Sequence, residues 1–598
     1  MMKSLSEKYA LFLTFVFIGV VCFFNLDYLS IRAYDEGRNA VNAFEMYLNP
    51  KSFFYTTFEK NIDSWNTKPP MLIWLQVLFM KIIGPGEWAI RLPSAVSGIG
   101  IAFLLYTFIK RISAPIWVTI FSLILLFSNW LFTGIHVLRT GDYDALFTFF
   151  TLGFVFYFFN YTHSKNQKEL ITSCTFLTFG ILTKGIAAFF FLPGIFMYLL
   201  LFGEIKKILL NLLFWKAVLI PVFFGLGYYL IRELVTPGYL ELVWLNEIAG
   251  RYTQVENYGN VNSYSYYFTQ IKSCFGLKTL MLVFMALPLS YYLKKYYSIT
   301  SYLSLLTITF LLILSFSKTK LFWYLAPIIP LISFLAGIGL VLLFEWLTLF
   351  SRIRRFDFVF YLCTITFWVE GSVRRTISDR LSPIDTNMQQ FSLSYKFRYF
   401  LDKGQTLPVN FAYVDFDHYK PHYLFYSYLS KANYKFENFN YFKLNKFGKI
   451  ATDIIPIKNY IERNFPLIEK KQFKDLSYYS LGDFSEKNDK RLISFEEILK
   501  KRITNNDIDI IKNPNDPTNF MVIKKFDAKL STLNLYFRRT NSDGTFDYDV
   551  IEISNNWDYL NINGYSIKFV LIRDIATHLE YKAFDSRGKE VWTKNRIF

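Results

Sequence analysis

PPMLIWLQVLFMKII, residues 69–83, decides how this chain meets a membrane. A helix needs about 20 apolar residues to cross the hydrocarbon, roughly 17 at the short end. This stretch is shorter, opens with two prolines and carries Lys81. Working outward, longer apolar runs lie at 9–26, 89–109, 115–133, 145–161, 168–183, 186–203, 208–231, 277–293, 299–317, 321–344 and 356–373. If 69–83 lies in the interface, the loops on one side contain Lys3 and Lys8, Lys110 and Arg111, Lys165 and Lys168, Lys206 and Lys207, Lys294 and Lys295, and Arg352, Arg354 and Arg355. Every short loop on that side is then basic, as cytoplasmic loops are. If 69–83 spans, the later loops invert and the bias is lost. The expectation is a polytopic α-helical membrane protein of about eleven spans, thirteen at most, with a cytoplasmic N-terminus. The first run lacks an A-x-A-like exit and reads as a retained span.

The composition agrees. The 598 residues are 53% hydrophobic, 20% aromatic and only 19% charged, with a net charge of +18. A disordered chain, a coiled coil and a simple cytosolic enzyme are excluded. The apolar runs end near 373, so residues 1–373 read as a membrane domain. Residues 374–598 read as a soluble α/β or α+β domain on the outer side, β-rich after about 518. The basic charge is partly a topology signal, and no nucleic-acid motif accompanies it. The cysteines Cys22, Cys174, Cys274 and Cys363 form no disulfide framework.

This topology gathers ionisable residues on the outer face. The first outer loop holds Asp35, Glu36 and Arg38 at the start of an amphipathic helix whose Ala40, Phe44, Tyr47 and Leu48 share one face. It ends at Lys68-Pro69-Pro70, and a proline suits the first turn of a helix, whose N-terminus attracts anions. Further outer loops hold Arg139, Asp142 and Asp144, then Lys184, then Glu247 and Arg251, then Lys318, Lys320 and Tyr324. Ionisable groups near hydrocarbon are costly, so such a cluster suggests an anionic, lipid-linked substrate. Taken singly, each has a plainer reading. Asp35 suits an N-cap, Lys318 and Lys320 suit snorkelling at a span end, Lys184 can close a hairpin, and Asp142 and Asp144 can cap a span.

At these residues the sequence resembles the C-type polyprenyl-phosphate-sugar glycosyltransferases. The motifs are Asp35-Glu36-x-Arg38, Lys68-Pro69, Arg139 with Asp144, Thr183-Lys184-Gly185, Asn246-Glu247-Ile248 with Arg251, and Ser317-Lys318-x-Lys320-Leu321 with Tyr324. They fall in the family's order over roughly residues 10–345. The branch most alike is the lipid A aminoarabinose transferase, with the protein O-mannosyltransferases more distant. The resemblance implies an enzyme of the bacterial inner membrane that moves a sugar from an undecaprenyl- or dolichyl-phosphate carrier to a lipid, glycan or protein acceptor. It implies Asp35 as the acid-base residue and Lys68, Lys318, Lys320 and Tyr324 at the carrier phosphate. Arg251 joins those cations as a candidate that would stabilise the leaving phosphate, with Lys184 and Arg139 as lesser ones. Arg38 and the helix N-terminus would keep Asp35 ionised. One base and an activated donor imply a single displacement with inversion, since retention needs a second carboxylate as nucleophile.

Two departures matter. The aminoarabinose branch has Glu where this chain has Thr67, and His where it has Glu247; those two positions form a metal site in that branch. No cofactor is therefore certain, and a divalent cation stays open. In the C-terminal third, YSIKFVLIRD and HLEYKAFD read as strands, SFEEILKKRI as a short helix, and Asp415, Asp417, His418 and His422 as a loop or cap rather than a metal site. The rival class is a transporter or flippase of lipid-linked sugars. It would place its charges near the bilayer midplane and show repeated halves, and neither is visible.

Overall fold

The computed structural model describes residues 2–249, 262–349 and 357–381, and beyond them the helix Pro421–Leu429 with strands and short segments between 412 and 597. The chain forms two compact units, 1–409 with 419–433, and 410–418 with 434–598. The expected boundary at 373 falls inside the helix Asp357–Leu381.

Among the described residues of the first unit, eight helices are long and apolar enough to cross a membrane: Leu5–Phe23, Glu87–Arg111, Tyr143–Ser164, Gln167–Phe189, Leu212–Val235, Tyr266–Tyr292, Tyr297–Phe316 and Phe322–Thr348. Three other expected spans look different. The run 115–133 is the helix Ile116–Phe127 and a separate turn, Trp130–Thr133. Asn129 divides them, its side-chain oxygen accepting from the Leu131 and Phe132 amides. The run 186–203 is a 3-10 turn, Gly185–Phe189, and the ten-residue helix Leu192–Leu201. The run 356–373 lies in the helix Asp357–Leu381, whose second half carries Glu370, Arg374, Arg375, Asp379 and Arg380. Residues 69–83 give the thirteen-residue helix Met71–Ile83, too short to span. Tyr266–Tyr292 is broken at Gly276, with φ 70°, just where the expected span 277–293 begins.

Two helices form the centre. Tyr143–Ser164 is buried on nearly every face, as is Ile329–Thr348, which packs on Tyr266–Tyr292. A Cβ at Gly339 would lie 2.2 Å from the Leu282 carbonyl oxygen, so only glycine permits that approach. Small residues let membrane helices touch, where dispersion rather than water drives packing.

The first-loop helix Asp35–Leu48 is buried nearly all round, from Glu36 to Met46, and is thus more enclosed than a one-sided amphipathic pattern implies. Its cover comes from far along the chain: the helix Pro421–Leu429. Phe425 meets Phe44 edge to face at 5.9 Å. The Tyr428 hydroxyl donates to Glu45 Oε1 at 2.7 Å. The buried Tyr426 hydroxyl donates to Glu87 Oε1 at 2.7 Å and accepts from the Ile31 amide at 2.9 Å. A Cβ at Gly37 would stand 2.7 Å from the His422 backbone nitrogen, so glycine allows this contact too.

The second unit holds a five-stranded sheet in the order Lys435–Asn438, Ala412–Asp415, Lys449–Thr452, Leu476–Leu481, Leu467–Phe473. The first three strands are parallel and the others antiparallel. Two four-stranded antiparallel sheets follow, built from the strands between Ile508 and Ile597. Leu530–Thr540 and Phe546–Ser554 form a hairpin with Thr540 opposite Phe546. Tyr565–Leu571 and His578–Asp585 are strands, as the alternation predicts. The SFEEILKKRI segment lies outside the described residues.

Candidate functional site

The first and second outer loops converge because one buried pair ties them together. Arg91 reaches back from the helix Glu87–Arg111 to bond Glu36 through both guanidinium faces, at 2.7 and 3.0 Å. It also donates to the carbonyls of Leu26, Leu29 and Ser30. Glu36 in turn accepts from the amides of Arg32 at 2.8 Å and Gly141 at 2.9 Å. Both side chains are almost wholly buried. Glu36 is therefore a structural hub rather than a reactive group, and it sets the first outer loop against the second.

The hub borders a cavity of about 500 Å³. Of the residues singled out in the sequence, Asp35, Glu36, Lys68, Asp142, Asp144, Lys184, Glu247 and Tyr324 line it, with Thr319 and Leu321 from the fifth outer loop. Asp35 is the first residue of its helix; Tyr34 holds the cap position with φ 64°. The Asp35 side chain is 44% exposed. Asp144 pairs with Lys184 at 2.5 Å, and the Lys184 ammonium lies 4.9 Å from the centre of the Tyr324 ring. Lys68 sits 5.4 Å from the Tyr143 ring and 3.8 Å from Glu247 Oε1.

Other sequence candidates sit elsewhere. Arg38 makes a bidentate pair with Asp63 and lies over Phe58 and Trp65. That pair, helped by Asn42 and the Asn66 amide, overcomes burial and holds the Asp63 carboxyl below the usual range. Arg38 thus shapes the loop that delivers Lys68. Arg139 donates to the carbonyls of Phe24 and Asn25. Lys320 is buried, its ammonium 2.5 Å from the Ser317 carbonyl oxygen, and burial lowers its pKa. Neither Arg139, Lys318 nor Lys320 is among the residues lining the cavity. Arg251, Asp417 and His418 lie outside the described residues. His422 is buried beneath the first-loop helix.

One lining residue escaped the sequence reading. His136 stands three residues before Arg139, its ring stacked on Trp323 with centroids 3.8 Å apart. Its Nδ1 lies 3.4 Å from Asp142 Oδ2 and 3.9 Å from Asp35 Oδ2. Nothing in a lone histidine of an outer loop marks it; only the meeting of two distant loops does.

The metal positions of the aminoarabinose branch were tested on the residues present. Thr67 Oγ1 donates directly to Glu247 Oε1 at 3.2 Å, and the Lys68 ammonium approaches the same oxygen. One carboxylate sharing its place with a hydroxyl and a cation is a poor divalent-metal site. Among the described residues, no group of three or more His, Cys, Asp or Glu is placed to hold a metal ion. The residues do not fit a metal here.

Lys68 and Lys184 also line a second space of about 300 Å³, walled by Pro69, Ile181, Ile186, Phe189, Leu226, Tyr229, Val243 and Ile248. The two cations therefore stand where a polar cavity meets an apolar groove.

Known proteins resemble this chain in part of its sequence and in its fold. The dolichyl-phosphate-mannose-protein mannosyltransferase family matches at residues 67–226. ArnT from Cupriavidus metallidurans, bound to undecaprenyl phosphate, superposes with a TM-score of 0.54 at 14% identity, over 79% of this chain and 97% of that one. The archaeal oligosaccharyltransferase AglB from Archaeoglobus fulgidus, in complex with an inhibitory peptide and a dolichol-phosphate, gives 0.50 at 10% identity, over 100% and 98%. The chain has the fold of these two proteins, a multi-pass membrane fold, as the resemblance read from the motifs implies. The "Putative mannosyltransferase YkcB" of Bacillus subtilis (strain 168) is 28% identical over 173 residues, 29% of this chain. The chain spans about a quarter of the length of the curated relatives it matches first.

Proposed function

We propose that this protein transfers a sugar from a polyprenyl-phosphate carrier to a hydroxyl of a lipid, glycan or protein acceptor, on the outer face of the inner membrane. The observation that carries this reading is the junction at Lys68 and Lys184. A lipid-linked sugar phosphate has an anionic head and an apolar tail, and these two cations stand between a polar cavity and an apolar groove. The basic loops at the far ends of the helices support the orientation.

The chemistry follows from the lining. The acceptor oxygen attacks the anomeric carbon and forms the new glycosidic bond. Its proton passes to Asp35, the half-exposed carboxylate in the wall. The bond from the anomeric carbon to the carrier oxygen breaks, and its electron pair leaves with the phosphate. Lys68 and Lys184 face that growing charge, and preorganised cations of this kind supply much of a transfer enzyme's acceleration. Asp144 holds Lys184 in place, so it is a positioning residue, and with one free carboxylate at the reaction centre the displacement inverts the anomeric carbon. Thr67 and Glu247 fix the Lys68 ammonium, a role that needs no metal. Arg251 joins the phosphate cations in this reading, and Lys318 and Lys320 shape the loop that carries Thr319 and Leu321 into the wall.

The test is Asp35→Asn in the purified full-length protein, given the lipid-linked sugars of its own host membrane. Release of free polyprenyl phosphate falls by at least about a thousandfold, as loss of a general base and more requires, while binding of undecaprenyl phosphate is unchanged. Wild-type turnover in that variant ends the assignment.

A further inference from the structure

One ionisable side chain of the cavity wall, His136, takes no part in the chemistry above. His136 is contributed by the second outer loop, held by its backbone amide, which donates to Thr140 Oγ1 at 2.8 Å. Its own φ is 65°, a left-handed conformation that a non-glycine residue adopts only when its surroundings enforce it. The ring is fixed again by the Trp323 stack, which comes from a different element, the turn Phe322–Ile328. Backbone and ring are thus both set, and the result aims Nδ1 between two carboxylates.

We propose that His136 is a positioning residue for Asp35: its ring, fixed by the Trp323 stack, holds a positive edge opposite the Asp35 carboxylate and orients it for proton abstraction. This rests on the reading of Asp35 as the base. Asp142 anchors the arrangement from behind. Asp142 accepts from Thr140 Oγ1 at 2.5 Å and from Asn39 at 3.4 Å, so its oxygens are committed and it cannot swing into the cavity. The charged groups facing the ring are Asp142, Asp35 and Asp144, with Lys184 neutralising Asp144 and Arg32 beside Asp142. Burial works against a charged ring, but Asp142 first, then Asp35 and Asp144, outweigh it and raise the imidazole above its ordinary pKa. A cation there lies 3.9 Å from the base, within ion-pair reach though beyond a hydrogen bond. Asp35 alone among the three carboxylates keeps an exposed face, so the clamp leaves it free to meet an acceptor.

The experiment reads Asp35 directly, with no need to know the sugar. A water-soluble carbodiimide modifies only the protonated carboxyl, and mass spectrometry of the Asp35 peptide gives the pH at which modification sets in. In His136→Gln, full-length and in detergent, that midpoint moves up by at least half a pH unit, and His136→Lys returns most of it. Turnover with host-membrane lipid-linked sugars falls about 10- to 100-fold in kcat for His136→Gln, with KM nearly unchanged and the acid limb of the pH profile shifted in the same direction. An unmoved midpoint in a folded His136→Gln overturns the inference, whatever the enzyme does. A shifted midpoint beside full turnover by Asp35→Asn leaves the electrostatic clamp standing and removes the base from the function instead.

Discussion

The two ends of the same helices treat charge in opposite ways. Glu87–Arg111, Tyr143–Ser164 and Gln167–Lys184 each have one end at the cavity and the other among the basic loops. At the basic end the pairs are Arg111–Glu169, Lys165–Glu204, Lys207–Glu204 and Lys295–Glu345, and their cations are 45–67% exposed. At the cavity end the pairs are Arg91–Glu36, Lys184–Asp144 and Arg38–Asp63, with no side chain above 11%. Exposed pairs are worth about 0–1 kcal/mol. Buried pairs cost far more to desolvate and recover it only in good geometry, so they are weak devices for stability and strong ones for fixing position. The first set lies among the basic loops; the second set frames the cavity.

Breaking the hub tests this most severely. Arg91→Met leaves Glu36 buried without its cation, and unfolding of the purified protein, followed by tryptophan fluorescence, should show a loss of about 3–5 kcal/mol. Next comes the pair inside the cavity. Lys184→Met should cut carrier-phosphate release by about a hundredfold, the scale of removing one electrostatic stabiliser, and Lys184→Arg should retain part of it. The smallest effect belongs to the exposed end. Glu204→Gln disrupts two pairs at once, yet stability should change by less than about 1 kcal/mol and turnover not at all. Should Glu204→Gln prove as damaging as Lys184→Met, the contrast between the ends is lost.

The sequence discloses what is local. Long apolar runs mark the helices, but the break at Asn129 inside the run 115–133 is not read from them. Asp35, Lys68, Asp144 and Lys184 are legible because each stands at an element end on one side of the bundle. What pairs with what is not legible, since it depends on contacts between distant positions. Arg38 is three residues past Asp35 on the same helix yet serves Asp63. Arg91 looks like a stray charge in an apolar helix and turns out to organise the site. His136 acquires meaning only when Asp35 and Asp142 flank it. Lys320 reads as a phosphate ligand by sequence position, and only the folded chain shows that its ammonium also donates to the Ser317 carbonyl.

The short return of the chain at Pro421–Leu429 has a practical side. Aromatic cover for Phe44, a hydroxyl for Glu45 and another for Glu87 all arrive from a segment far beyond the last apolar run. Cutting the gene after codon 409, in the hope of isolating a tidy membrane half, would strip the back wall from the helix that begins at Asp35. The fragment would expose greasy surface and take one hydroxyl partner each from Glu45 and Glu87, so this stretch of the polar tail belongs to the masonry of the membrane half.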